Sequence, residues 1–185
     1  MKNNKNRVYP VEKADELDSF LRRLFHNPKR ILRSYLGTGM TALDLGCGIG
    51  YFTLPMAQMV GETGKVVAVD IQDGMLQRVK NRIDGTELEP RVVLHLCNER
   101  SLNYEHPVDF VLAFHVMHEI PNQPAALAEI ASILQPGGQA LIVEPPFHVS
   151  KADFAAMIEN AHKVGLESSR GPRMIFDKTV VFTRV

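Results

Sequence analysis

The stretch Leu43-Asp44-Leu45-Gly46-Cys47-Gly48-Ile49-Gly50 decides the fold of this chain. It includes the end of a short apolar run, Thr41–Leu45, which we predict to be a buried strand. The three glycines at alternate positions allow a tight turn and let a ligand approach the backbone closely. The stretch therefore predicts a strand, a glycine turn and the start of a helix, in that order.

Short apolar runs recur along the rest of the chain and alternate with helical patterns. Because the runs are almost continuously apolar, they are typical of strands covered on both faces. The predicted strands are Thr41–Leu45, Lys65–Ile71, Arg91–Cys97, Val108–Val116 and Gln139–Glu144. The helices between them include one capped by Asp73 and one that begins at a capping box from Ser150 to Asp153. This alternation predicts an α/β fold with a doubly wound, mostly parallel sheet.

The final segment of the chain departs from this alternation. Two β-rich runs, Leu166–Ser169 and Lys178–Arg184, are separated by a turn region at Gly171-Pro172 with no helical pattern. Adjacent strands that lack a crossover helix are antiparallel. We therefore expect seven strands, of which the last two form an antiparallel hairpin at the edge of the sheet.

Length and composition fit one globular domain. The chain has 185 residues, of which 45% are hydrophobic and 23% charged. It has 21 basic and 21 acidic residues, so the formal net charge is zero. Proteins that bind nucleic acid through its phosphates usually carry a net positive charge, so the balance disfavours nucleic acid as the main ligand. No apolar run approaches the roughly 20 residues that cross a bilayer, and no signal peptide is visible. Cys47 and Cys97 are too few for a disulfide framework, so we expect a cytoplasmic protein. From the balanced charge and the short apolar runs, we expect no membrane partner and consider nucleic acid an unlikely one.

The N-terminal segment is predicted to be helical. An apolar stripe at helical spacing is formed by Leu17, Phe20, Leu21, Leu24 and Phe25. A second helix is predicted to be capped by Asn27, to begin at Pro28 and to end at Gly37. Within one domain that spans the whole chain, we assign residues 1–37 to a helical lid and residues 38–185 to a ligand-binding core.

Two carboxylates near the glycine turn indicate the kind of ligand. Asp70 ends the second predicted strand, where a carboxylate can accept hydrogen bonds from the two hydroxyls of a ribose. The glycine spacing is G-x-G-x-G rather than the G-x-G-x-x-G of dinucleotide-binding folds. Asp44 stands just before the turn, where its charge would repel a pyrophosphate and attract an ammonium or a sulfonium. A tight turn with an exposed Asp70 and no ligand is the alternative.

Three motifs in order resemble those of class I S-adenosylmethionine-dependent methyltransferases. They are the glycine stretch, the second-strand motif V-V-A-V-D-I-Q-D-G-M-L and the L-Q-P-G-G turn before the fifth strand. The resemblance covers roughly residues 42–165, and the terminal hairpin is also a trait of the family. A fourth pattern, Asp109–His118, is similar to that of the quinone-biosynthesis methyltransferases. The resemblance implies a Rossmann-like fold, with S-adenosyl-L-methionine as the cofactor.

The resemblance also implies roles for individual residues. Asp44 and the turn would hold the methionine part of the cofactor, Asp70 the ribose, and either Asn98 or Glu99 the adenine amino group. The residues expected to bind the cofactor are Asp44, Gly46, Cys47, Gly48, Gly50, Asp70, Ile71, Met75, Asn98, Glu99 and Phe114. An acidic residue is usual in the family at the position of Asn98, so this chain departs from the pattern there.

Titratable side chains crowd the ends of strands four and five, where open α/β sheets place their ligands. We expect His118 to be the general base, with His115 and then Glu144 as the other candidates. For each of them a structural role in the loop is the alternative. Histidine and glutamate also bind metals, but many methyltransferases need none, so no metal is predicted.

The leading functional hypothesis is methyl transfer to a small-molecule acceptor at an oxygen, nitrogen or carbon atom. The alternatives are a methyltransferase that acts on RNA or protein, and a cofactor-binding module without catalysis. The balanced charge disfavours RNA, and the crowded strand ends disfavour a module without catalysis. The acceptor and the oligomeric state are not predicted.

Overall fold

The computed structural model describes residues 26–185 of the chain. The predicted helix with the apolar stripe over residues 17–25 lies outside the described residues, as does most of the expected lid. Among the described helices, none is long and apolar enough to span a membrane.

Within residues 26–185, five helices alternate with the strands of a single sheet. The helices are α1 (Pro28–Leu32), α2 (Thr53–Val60), α3 (Asp73–Ile83), α4 (Gln123–Ile133) and α5 (Lys151–Lys163). The strands are β1 (Thr41–Leu45), β2 (Lys65–Asp70), β3 (Val92–Leu96), β4 (Val108–Phe114), β5 (Leu134–Glu144), β6 (Leu166–Arg170) and β7 (Lys178–Arg184). In the described part of the chain, a short 3-10 helix at Glu89–Arg91 precedes β3, and another at Met117–Glu119 follows β4.

The sheet has the order β3-β2-β1-β4-β5-β7-β6. Strands β1 to β5 are parallel, and β1 lies between β2 and β4, with Leu45 beside both Val69 and Ala113. The strand order reverses between β1 and β4, and ligands of such sheets bind beyond the carboxyl ends at this point. The predicted seven-stranded α/β fold is confirmed.

The C-terminal hairpin brings a late segment of the chain to the same edge of the sheet. Strand β7 is inserted between β5 and β6 and is antiparallel to both, as predicted. Its first residue, Lys178, pairs with Glu144 at the end of β5. The residue before β7, Asp177, therefore lies at the edge where the parallel strands end.

The sheet is covered on both faces by apolar side chains. One layer packs α4 and α5 against the sheet through residues such as Leu127, Ile130 and Met157. The other packs α1 and α2 through residues such as Leu32 and Met56. Burying each such side chain contributes about 1.5–3 kcal/mol to the free energy of unfolding. This rigid sandwich fixes the strand ends that form the site.

Two helix boundaries differ from the prediction. Helix α1 begins at Pro28 with Asn27 as its cap, but it ends at Leu32 rather than Gly37, since the chain enters a turn in which the Tyr35 N–H bonds the Leu32 carbonyl. Asp73 is the first residue of α3 and not its cap.

The N-cap residue of α3 is Gln72, and its backbone N–H donates to the Asp70 carboxylate at 2.9 Å, which ties the start of the helix to the end of β2. The predicted cap of α5 is confirmed, because the Ser150 hydroxyl accepts the Asp153 N–H at 3.0 Å.

Candidate active site

The glycine turn continues β1 into the loop before α2. The N–H groups of Gly46 and Cys47 both donate to the Val69 carbonyl, at 2.8 and 3.0 Å, which folds the turn against the end of β2. Gly46 has a φ of 69°, and a Cβ there would lie 2.5 Å from Cγ2 of Val116. The turn therefore needs glycine at this position, both for its backbone angle and for the space beside β4.

Asp70 is held at the end of β2 by the turn that faces it. Its side chain is almost fully buried, and its two oxygens accept the N–H groups of Gly48 and Gln72 at 3.0 and 2.9 Å. Burial raises the pKa of this carboxyl, although the backbone hydrogen bonds act in the opposite direction. Each oxygen keeps a second lone pair, so Asp70 can still accept from a ligand hydroxyl.

Asp44 is the second buried acid at this edge. Its residue is 2% exposed, and its Oδ2 accepts the hydroxyl of Thr53, the first residue of α2, at 2.6 Å. A carboxylate with so little access to water favours a cationic partner. This is the environment that an ammonium or a sulfonium group requires.

Two adjoining clefts open at the carboxyl edge. The first, of about 340 Å³, lies over the ends of β2 and β3 and is lined by Ile71, Cys97, Asn98, Glu99 and the loop that follows them. The second, of about 390 Å³, lies over the ends of β1 and β4. Four residues line both clefts, which makes them continuous: Gly46, Asp70, Val116 and Glu119.

Most of the residues expected to bind the cofactor line these clefts. The second cleft is lined by Asp44, Cys47, Gly48, Met75, Phe114, His115 and His118, among others. Gly50 and Glu144 line neither cleft. A Cβ on Gly50 would lie 2.8 Å from Leu54 and 3.2 Å from Val79, so this glycine allows α2 and α3 to pack.

The loop after β3 is organised by Asn98. Its side-chain oxygen accepts the N–H groups of Arg100 and Ser101, at 2.8 and 3.0 Å. Because these two bonds occupy both lone pairs, this oxygen is not available for the adenine amino group. Of the two expected acceptors, the geometry favours Glu99.

Glu129, on helix α4, holds the same loop and was missed by the sequence reasoning. Its Oε2 accepts the Leu102 N–H at 2.6 Å and the Ser101 hydroxyl at 3.0 Å. It lies 27 positions from Leu102, and its local pattern is that of an ordinary solvated helix residue. Only the packing of α4 against the sheet brings it to the cleft.

His118 and Glu144 form a hydrogen-bonded pair at the end of β5. Glu144 is 1% exposed, with Oε1 accepting the Met117 N–H at 3.0 Å and Oε2 lying 2.8 Å from Nδ1 of His118. Since an ionised carboxylate only accepts, Nδ1 carries the proton and Nε2 is the basic nitrogen. Glu144 contacts His118 but lines neither cleft, and its burial disfavours a role as the direct proton acceptor.

The surroundings of His118 make it a stronger base than an ordinary histidine. Burial lowers its pKa, but the hydrogen bond and the charge of Glu144 outweigh burial, and the pKa is raised. The ring stacks on that of His148, with centroids 5.5 Å apart and planes 16° apart. His118 thus presents a positioned proton acceptor to the second cleft.

Glu119 lies near Asp70 and near the hydrogen-bonded pair of His118 and Glu144. Burial, together with the charges of Asp70 and Glu144, raises its pKa to about 7, while His118 acts in the opposite direction. Glu119 is not among the catalytic or cofactor-binding residues predicted from the sequence. Its position on both clefts makes it a further member of the site.

His115 belongs to a different cluster. Its Nε2 lies 2.9 Å from Oδ1 of Asp177, whose Oδ2 lies 2.8 Å from Nε2 of His26. This pairing disfavours His115 Nε2 as the base. Asp177 and His26 were not found from the sequence, because they lie 62 and 89 positions away from His115.

The arrangement fits S-adenosylmethionine. Asp70 at the end of β2 and Asp44 beside the turn are buried acids, and the backbone at Gly46 lines both clefts. These groups fit a nucleoside joined to a cationic amino acid. Together with the inserted antiparallel β7, these features define the class I S-adenosylmethionine-dependent methyltransferases.

The comparisons with known proteins agree. Residues 36–173 match a family described as "Methyltransferase domain", and the chain belongs to this family. A SAM dependent methyltransferase from Aquifex aeolicus is similar in structure, with a TM-score of 0.84 and 25% identity over 96% of this chain and 100% of that one. A TehB-like SAM-dependent methyltransferase from Corynebacterium glutamicum, at 19% identity and a TM-score of 0.74, covers 95% and 100% and supports the fold.

Curated relatives of similar sequence carry quinone-pathway names. A demethylmenaquinone methyltransferase from Oceanobacillus iheyensis is 28% identical over 134 residues, which are 72% of this chain and 56% of the relative. A ubiquinone/menaquinone biosynthesis C-methyltransferase from Hydrogenovibrio crunogenus is 33% identical over 107 residues, covering 57% and 42%. The chain thus spans about half the length of the curated relatives it matches.

Proposed function

We propose that this chain transfers a methyl group from S-adenosylmethionine to a small-molecule acceptor that loses a proton in the reaction. The observation that carries the proposal is the placement of His118 and Asp70 in one cleft. Asp70 and the half-buried imidazole of His118, which is hydrogen-bonded to Glu144, line the same cavity of about 390 Å³.

The cofactor site would be divided between the two clefts. The first cleft would hold the flat adenine base, which Ile71 and the loop of Asn98 would flank. Asp70 would accept the ribose hydroxyls, and Asp44 would face the cationic amino-acid end. Bound there, the cofactor supplies an activated methyl group on a sulfonium.

The chain's own contribution to the chemistry would be alignment and proton removal. The cofactor held by Asp70 and Asp44 would supply the methyl group to the acceptor's nucleophilic atom, and its sulfur would keep the electron pair of the broken sulfur–carbon bond. Nε2 of His118 takes the acceptor's proton, while Glu144 holds Nδ1–H and stabilises the imidazolium that results. Holding the acceptor in line supplies much of the remaining rate enhancement.

The size and lining of the second cleft support a small acceptor. Its walls include Tyr51, Phe52, Phe114 and Pro145, which suit a flat or partly apolar molecule. The names of the relatives make a hydroxylated quinone-like ring the first class to try, with methylation at carbon as the first expectation. A cytoplasmic location stays a prediction.

Calorimetry followed by an acceptor screen tests this function. The full chain should bind S-adenosylmethionine and S-adenosylhomocysteine but not NAD, and it should transfer a labelled methyl group to reduced hydroxyquinones or related phenols. Binding without transfer to any small molecule, but with transfer to RNA or protein, would overturn the acceptor class. Binding of NAD alone would overturn the cofactor.

A further inference from the structure

His26, His115 and Asp177 converge beside the second cleft from three distant parts of the chain. His26 precedes α1, His115 follows β4, and Asp177 precedes β7. Their ligand atoms, one from each side chain, all lie within 4.8 Å of one another. The two imidazole rings are nearly perpendicular, at 86°, so their Nε2 atoms approach the carboxylate from different directions.

We propose that these three residues form a binding site for a divalent transition-metal ion, with Zn²⁺ as the expected occupant. Two imidazole nitrogens and one carboxylate oxygen are the donor set of three-ligand zinc sites that keep a position open. The nitrogen ligands disfavour Mg²⁺ and Ca²⁺, which prefer oxygen.

The observed geometry requires little change to hold the ion. Each Nε2 lies 2.8 or 2.9 Å from an oxygen of Asp177. With metal–ligand distances of about 2.0–2.2 Å and tetrahedral angles, ligand atoms lie about 3.3 Å apart. The two N–O distances would lengthen by about half an ångström, and the ligand atoms farthest apart, which lie within 4.8 Å of each other, would approach by up to about 1.5 Å. Small side-chain rotations would therefore convert the hydrogen-bonded cluster into a coordination shell.

The surroundings hold the three groups in place. The side chain of Asp177 is 6% exposed, and those of His26 and His115 are 18% and 27% exposed, so the cluster is partly shielded but open to solvent on one side. The Tyr51 hydroxyl donates to the His26 carbonyl at 3.0 Å. His115 adopts a left-handed φ of 57°, a strained conformation of the kind that clusters at functional sites.

The position of the site indicates a use. His115 also lines the second cleft, so an ion on it would be within reach of an oxygen atom on a bound acceptor. This consequence rests on the proposed function, whereas metal binding itself does not.

The test is metal binding by the full chain without S-adenosylmethionine. After metals are removed with a chelator, titration with Zn²⁺ should show about one bound ion per chain. Co²⁺ should compete with Zn²⁺ for the same site, and the bound Co²⁺ should show the absorption spectrum of an ion with nitrogen and oxygen ligands. His115→Gln and Asp177→Asn should each weaken binding at least about tenfold, since even residues that merely support ligands cost 10–100-fold.

Two control variants test where the Zn²⁺ ion binds. His162→Ala removes an exposed histidine of α5 and should leave binding unchanged. His118→Gln removes a histidine of the second cleft that lies outside the proposed metal site, and it should also leave Zn²⁺ binding unchanged. Loss of binding in His118→Gln but not in His115→Gln would overturn the proposal, as would the absence of Zn²⁺ binding by the wild type.

Folding and cofactor binding are measured separately. Each variant should keep the circular dichroism of the wild type and bind S-adenosylmethionine in the presence of EDTA. If Asp177→Asn does not fold, His115→Gln and His26→Gln decide the outcome. Cofactor binding that persists when Zn²⁺ binding fails would contradict the metal site and leave the methyltransferase proposal standing.

Discussion

Nδ1 of His118 lies 2.8 Å from Oε2 of Glu144, although 26 residues separate the two in sequence. They meet because β4 and β5 are parallel neighbours, and Glu144 ends β5 just where the chain turns after β4. The buried carboxylate fixes both the tautomer and the ring orientation of the histidine. This relationship makes the protonation state of His118 the central variable of the site.

We first predict that turnover depends on His118 as a base. Because the pKa of His118 is raised, the rate should fall as the pH drops through a midpoint above about 6.5, the ordinary value for histidine. His118→Ala should lower kcat by about 10²–10⁴-fold and abolish that acid limb. Steady-state pH profiles measure both, and an unchanged acid limb in the variant would contradict the assignment.

Glu144→Gln is the companion variant. Its neutral amide removes the charge that raises the His118 pKa, so the acid limb should move to lower pH while S-adenosylmethionine affinity stays the same. A purely structural role for Glu144 would lower stability without moving the limb.

The second prediction concerns Asp70. Two hydrogen bonds from ribose hydroxyls to a charged acceptor are worth about 1.5–3 kcal/mol each, so Asp70→Ala should weaken S-adenosylmethionine binding at least about 100-fold. Asp73→Ala is the matched control, because Asp73 lies only three residues on but is exposed at the start of α3. Calorimetry on both variants measures the difference, and equal affinities would exclude the ribose role.

The third prediction separates backbone strain from space at the glycine turn. Gly46 and Gly85 have nearly the same φ, 69° and 67°, but a Cβ would meet Val116 at Gly46 and nothing within 4 Å at Gly85. Both alanine variants should lose about 1–2 kcal/mol of stability from the left-handed backbone.

Only Gly46→Ala should also lose cofactor affinity, since Val116 lines both clefts and would have to move. Thermal unfolding and calorimetry distinguish the two effects. Equal cofactor affinity in both variants would show that the turn tolerates a methyl group there.

The sequence predicts the fold well because each strand carries its own local signal. The apolar runs, the glycine turn and the missing helix before β7 are all readable within a few residues. Helix ends are less readable, as α1 shows, since the turn at Leu32 and Tyr35 depends on packing against the core.

The site is predictable only where its residues follow strand ends. Asp44, Asp70 and His118 stand directly at or after strands, and topology alone brings them together. Glu129 reaches the first cleft through the packing of α4. His26 and Asp177 reach His115, beside the second cleft, from the segments before α1 and β7. No local pattern marks any of the three. The occupied oxygen of Asn98 shows the same limit, since the backbone groups that it accepts depend on how the loop folds.

The last prediction concerns Glu119 and the pH dependence of stability. Its pKa is about 7 in the folded chain, against an ordinary value of 4.5. Between these two values the unfolded chain loses the proton while the folded chain keeps it, so this group makes stability fall as the pH rises from about 4.5 to 7.

Glu119→Gln removes the titrating carboxyl, and with it the loss of stability at high pH. The variant should gain about 1–2 kcal/mol relative to the wild type at pH 8 and little at pH 5, a range that allows for solvent screening of a partly exposed group. Urea unfolding at several pH values gives the difference, with Glu105→Gln as an exposed control that should show none. A gain that is the same at pH 5 and pH 8 would mean that the Glu119 carboxyl is not held protonated by its buried, acidic surroundings.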